Sequence, residues 1–77
     1  MNRLTLARVL REAGVPGDHY RIEDAHEPVP PPPDFVYLRR EPGGAGWETG
    51  VYERGTHHAV ATHATEAEAC AHLRTLL

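Results

Sequence analysis

The sequence predicts a two-layer α+β domain in the order α-β-β-β-β-α, an antiparallel sheet of three to four strands with the N- and C-terminal helices on one face. Three observations carry this. The chain opens on an apolar stripe at helical spacing. Its middle holds short runs of strand character joined by glycine-rich turns. It closes on a helix with a capping signature. The 77 residues leave room for a single domain, 1–77. A chain of this size buries only about 60% of its unfolded surface, so the core must be thin.

Residues 3–13 read as the first helix, because Leu6, Val9, Leu10 and Ala13 fall at i, i+3, i+4 and i+7. Gly14 suits the left-handed position that ends a helix, Val15 supplies the usual apolar contact after it, and Pro16 forbids continuation. Tyr20-Arg21-Ile22 is a short strand with both apolar side chains on one face. Composition then shifts. Asp18, Glu23, Asp24, Glu27 and Asp34 stand against Arg21 alone, so the negative charge of the chain is concentrated here. The same stretch carries Pro28 and the run Pro30 to Pro33, which favours an extended polyproline form and cannot donate to a strand ladder. Residues 23–34 are therefore expected to form an exposed, semi-rigid acidic loop.

Phe35 to Arg40 is the clearest strand, with Phe35 and Tyr37 pointing one way and Val36 and Leu38 the other. Pro42 to Gly46 makes a hairpin turn, Trp47 to Arg54 the return strand, Gly55-Thr56 a second turn, and His57 to Thr62 a third strand. Tight turns impose antiparallel pairing. Thr65-Glu66-Ala67-Glu68 is a capping box, and Ala69, Cys70, Leu73 and Leu76 form one stripe beyond it.

Composition excludes several functions. The net charge of −3 argues against a general nucleic-acid binder, which would show a basic face. The chain has no Ser, which removes every serine-nucleophile mechanism, and its lack of Lys and Gln beside abundant Ala, Gly, Pro, Arg and His reads as the bias of a high-GC genome. One cysteine, Cys70, rules out an internal disulfide framework and a Cys-rich zinc site. No apolar run approaches the roughly 20 residues of a membrane span and no signal-peptide pattern opens the chain, so a cytoplasmic protein is the default expectation.

Six histidines invite a metal reading, but His19, His26, His57, His58, His63 and His72 show no HxH, HxxxH or HExxH spacing. Strand alternation would put His57 and His63 on one face and His58 on the other. Cys70 sits near a helix N-terminus, yet its place in the apolar stripe favours packing over nucleophilic chemistry. Glu48 and Glu53 differ in strand parity and cannot share a site. No catalytic residue, metal ligand or cofactor is assigned. Pro28-Val29-Pro30-Pro31 matches PxxP, but its flank is acidic where SH3-type ligands are basic, and a spacer loop is the better reading. A stronger lead is Arg39, Arg40, Glu48, Tyr52 and Arg54, expected as exposed strand residues on neighbouring strands.

Gly46-Trp47, Tyr52-Glu53-Arg54-Gly55, Thr65-Glu66-Ala67-Glu68-Ala69-Cys70 and the closing Leu73, Leu76 and Leu77 resemble a small family of actinobacterial toxin-associated proteins. Ala13-Gly14-Val15-Pro16 followed by Tyr20 fits as well. Its members stand alone or lie fused or adjacent to secreted toxin domains of the NAD-glycohydrolase type. The resemblance implies an immunity-like or adaptor role, with binding and no catalysis. It also implies a core-facing His63, since relatives carry an aromatic residue at that place.

The expected function is thus a non-catalytic protein-binding module. Its partner is another protein, a toxin domain by the resemblance, with no membrane involved. The acids Glu23, Asp24, Glu27 and Asp34 would meet a basic partner cleft, with Arg39, Arg40, Tyr52 and Arg54 as secondary contacts. The first alternative is a sheet that binds nucleic acid, with Arg39, Arg40 and Arg54 on phosphate. The second is a small enzyme using Cys70 or the histidines. Exposed edge strands would also allow a homodimer.

Overall fold

The computed structural model describes residues 1–77. Helix α1 spans Arg3–Glu12, strands β1 to β4 span Tyr20–Ile22, Asp34–Arg40, Trp47–Glu53 and Thr56–His63, and helix α2 spans Glu66–Leu76. The fold is α+β in the expected order, with the strands side by side as β1-β2-β3-β4.

Helix α1 begins where the Asn2 side chain accepts the Thr5 backbone N–H at 2.8 Å and ends on Gly14, whose φ of 78° only glycine adopts without strain. It buries Leu6, Ala7 and Leu10. The inward stripe is rotated from the expected one: Ala7 is buried, Val9 is half-buried and Ala13 stays in solvent. In α2 the Thr65 hydroxyl accepts the Glu68 N–H, and Ala69, Cys70 and Leu73 are buried as the stripe requires. Both helices pack on the sheet face formed by Tyr20, Ile22, Leu38 and Trp47, and this is the main core.

The sheet is mixed, which corrects the expectation of purely antiparallel strands. β2, β3 and β4 form the antiparallel meander, but β1 runs parallel to β2, with Tyr20 opposite Val36 and Ile22 opposite Leu38. The cause is the connection. A tight turn reverses the chain, whereas residues 23–33 are long enough to return the chain to the starting end of β1 before β2 begins. That return places part of the proline-rich segment against the sheet face that carries no helix.

A second correction concerns β4. The β3–β4 register shifts at Thr49/Gly50, so that Thr49 faces Ala61 and Gly50 faces Ala59 with Val60 as the extra residue. One inserted residue reverses alternation beyond it. His58 and His63 therefore share the helix-bearing face, opposite Val51 and Trp47, and His57 lies alone on the other face, opposite Tyr52. Gly50 permits this crossing. A side chain there would collide with the His58 carbonyl oxygen and would come 2.7 Å from the Tyr37 hydroxyl.

Candidate functional site

Two layers leave one sheet face without helices, and what covers that face defines the site. Parity of β2 and β3 sends Phe35, Tyr37, Arg39, Glu48 and Tyr52 there, and His57 joins from β4. Phe35 and Tyr52, directly opposite in the ladder, stack with ring centres 4.6 Å apart and planes 11° apart. His57 meets both Tyr52 and Tyr37 edge-on, at 4.9 and 4.8 Å. Cross-strand aromatic pairs of this kind stabilise a ladder by up to roughly 1 kcal/mol each.

Beside the aromatics lies a polar network. The Tyr37 hydroxyl donates to Glu48 Oε2 at 2.6 Å, and Arg39 Nε donates to the same oxygen at 2.9 Å. Glu48 is 7% exposed, contrary to the expectation of an exposed residue. Burial alone would raise its carboxyl, but the hydrogen bonds from Tyr37 and Arg39 outweigh burial and hold it below the usual carboxylate range. Burial and the neighbouring Glu48 charge push the Tyr37 hydroxyl up, so it remains a donor. Burial, reinforced by Arg39, lowers the His57 imidazole and favours its neutral form.

At the other end of the face the proline-rich segment stands over the stacked rings. Arg21, Glu27, Pro28, Val29, Pro31, Phe35, Tyr52 and His57 enclose a cleft of about 260 Å³. Its floor is the Phe35–Tyr52 stack and its wall is Pro28, Val29 and Pro31, with Val29 91% exposed. The rim is polar: Arg21 donates to Glu27 at 3.0 Å. Glu27 also accepts the Asp24 N–H at 2.6 Å, and that bond, followed by Arg21, keeps its carboxyl below the ordinary range.

The eight residues expected to bind a partner do not form one patch. Tyr52 and Glu27 line the cleft, and Arg39 lies further along the same face, committed to Glu48. Glu23, Asp24 and Arg40 lie on the far side. There Glu23 pairs with Arg40 at 3.7 Å and Asp24 with Arg3 at 3.3 Å. The guanidinium groups of Arg3 and Arg40 both lie 4.7 Å from the Trp47 ring centre. Asp34 and Arg54 sit at one end of the sheet, where Asp34 is opposite Glu53 and Arg54 occupies the β3–β4 turn. Three of the four loop acids are thus already paired with arginines of the same chain.

The same far side holds a second hollow of about 330 Å³ between Asn2, Arg3, Leu4, Asp24, Ala25 and Glu66. Its charges serve folding. Glu66 accepts both the backbone N–H and Nε of Arg3, at 2.8 and 3.0 Å, so one carboxylate ties the starts of α1 and α2 together. The backbone bond, then the Arg3 side chain, keep the Glu66 carboxyl low.

Of the remaining candidates, Cys70 lies in the core, and His63 and His72 are half-buried beside it. Cys70 is fully buried, and burial pushes its thiol up, away from the thiolate a nucleophile requires. His63 Nε2 and His72 Nδ1 approach the buried Thr49 hydroxyl at 2.9 and 2.6 Å, so His63 does face the helix layer. No group of three or more His, Cys, Asp or Glu is placed to hold a metal ion, and no helix is long and apolar enough to cross a membrane. Arg39, Arg40 and Arg54 do not share a face, since alternation separates Arg39 from Arg40 and Arg54 belongs to a turn.

Reading the sequence for exposed charge missed Phe35, His57, Arg21 and Val29. A signal existed for the first two: in the antiparallel meander, Phe35 and His57 share the face of Tyr52. No comparable signal marks Val29, whose position depends on the path of the proline-rich segment. No family model, curated protein or solved structure matches this chain.

Proposed function

We propose that this chain is a small non-catalytic protein-binding module whose partner engages the helix-free sheet face. One observation carries the reading: the cleft floored by Phe35 and Tyr52 and walled by Pro28, Val29 and Pro31. Apolar floor, polar rim and a central tyrosine are the composition of an interface hot spot, where an anchoring side chain is buried and the surroundings exclude water. The rim ion pair Arg21–Glu27 can hydrogen-bond a partner backbone without being left uncompensated. The network of Tyr37, Arg39 and Glu48 keeps the adjoining surface rigid, which lowers the entropy lost on binding.

Burial of Cys70 and the intramolecular pairing of Arg39 and Arg40 favour this reading over a cysteine enzyme or a phosphate-binding sheet. The sequence resemblance makes a toxin domain the first partner to try, in an immunity-like or adaptor role.

The test is co-expression with the product of the adjacent reading frame, scored for rescue of growth and for co-purification at a fixed ratio. Rescue with a stable complex supports the module. Neither rescue nor complex, together with salt-sensitive binding to DNA or RNA, would transfer the chain to the nucleic-acid reading.

A further inference from the structure

We propose that β4 is a self-pairing edge: two copies of this chain join their β4 strands antiparallel, about a two-fold axis between Ala59 and Val60, into one continuous sheet. This goes beyond the partner-binding role of the cleft and does not depend on it.

The two edges of the sheet differ. β1 is three residues long, and beyond it the backbone of Ile22 exchanges two hydrogen bonds, both 2.8 Å, with His26. That edge is closed by its own chain. β4 runs eight residues, Thr56–His63, and no strand lies beyond it. Exposed edges are ordinarily protected by charged residues or proline. β4 has neither: it reads Thr-His-His-Ala-Val-Ala-Thr-His, with Val60 55% exposed at its centre.

The irregularity at Val60 selects the occupant. A bulge changes the twist within the strand and spoils the fit of a straight foreign strand. A second copy brings the same kink. Pairing all eight residues by two-fold symmetry sets Thr56 against His63, His57 against Thr62, and His58 against Ala61 of the other copy. In a regular strand this register would oppose residues of opposite faces. Here the inserted Val60 restores the match: His57 and Thr62 both belong to the helix-free face, and His58, Ala61, Thr56 and His63 all belong to the helix-bearing face. No carboxylate or guanidinium lies on either strand, so no like charges meet.

Sedimentation equilibrium of the tag-free protein at neutral pH, from micromolar to millimolar concentration, tests this. The expected mass rises from 8.5 kDa toward twice that value. Val60→Lys places a charge on an exposed position and weakens association at least about tenfold, and so does Thr62→Lys. Leu4→Asp removes an exposed apolar residue of α1 and leaves association unchanged. A single 8.5 kDa species across the whole range overturns the proposal, as does a dimer that both lysine variants leave intact.

Discussion

The Tyr37 hydroxyl donates to Glu48 Oε2 at 2.6 Å on the sheet face that neither helix covers. Buried ionised groups are costly unless their hydrogen-bonding capacity is met. Here Tyr37 and Arg39 both donate to one oxygen of the carboxylate, within a shell of Tyr37, Arg39 and His57 in place of a third layer. Glu48→Ala leaves both donors without their acceptor and is expected to cost roughly 2–3 kcal/mol, while Tyr37→Phe costs about 1 kcal/mol. Urea unfolding checks the order. A Glu48→Ala protein as stable as wild type would mean the network contributes nothing.

Gly50→Ala is expected to be more damaging than any surface substitution in β3. The added methyl group would meet the His58 carbonyl oxygen, which is backbone, and would crowd the Tyr37 hydroxyl at 2.7 Å. The carbonyl cannot retreat without opening the β3–β4 ladder, so the loss should reach about 3 kcal/mol, the upper part of the overpacking range. An unchanged urea midpoint would show that the close approach is not as described.

Stability should decline as pH falls through the histidine range. Burial lowers both His57 and His63 from the ordinary value, with Arg39 adding to the first and His72 to the second. Folding therefore favours the neutral rings. Above about pH 7 their contribution is fully present; below that the unfolded chain binds more protons than the folded one, and stability falls until the folded rings titrate. Unfolding midpoints at several pH values should trace this step, and replacing both histidines by Asn should flatten it. A step of unchanged size in the double variant would assign it to other groups.

Arg54 and Gly55 both take positive φ, 52° and 78°, the pattern of a type I′ hairpin turn between Glu53 and Thr56. Arginine is strained in that region where Asn is not. Arg54→Asn is expected to raise stability by about 0.5–1 kcal/mol, seen as a higher melting temperature. A lower melting temperature would mean that the Arg54 side chain makes a contact worth more than its backbone strain.

Much of this fold can be read from local chemistry. The Gly14 stop, the Thr65 cap, the stripe of Ala69, Cys70 and Leu73, and the opposite facing of Phe35 and Val36 depend on residues a few positions apart. What escapes such reading depends on distant partners. The parallel entry of β1 follows from the length and path of residues 23–33. The facing of His63 follows from one residue, Val60, which nothing in its own neighbourhood marks as an insertion. The site divides the same way. Tyr52 and Glu27 are found by residue type, but the acids Glu23 and Asp24 read as free charge until Arg40 and Arg3 are placed beside them.

The affinity of the Val29→Asp protein for the product of the adjacent reading frame tests the binding cleft most directly. Val29 is 91% exposed, so the substitution leaves the core untouched while placing a charge on the cleft wall. Wild type should form a fixed-ratio complex, and Val29→Asp should weaken it at least about tenfold, as loss of a hot-spot contact does. A wild-type protein that forms no complex, or a Val29→Asp protein that binds as tightly as wild type, would contradict the assignment of this face.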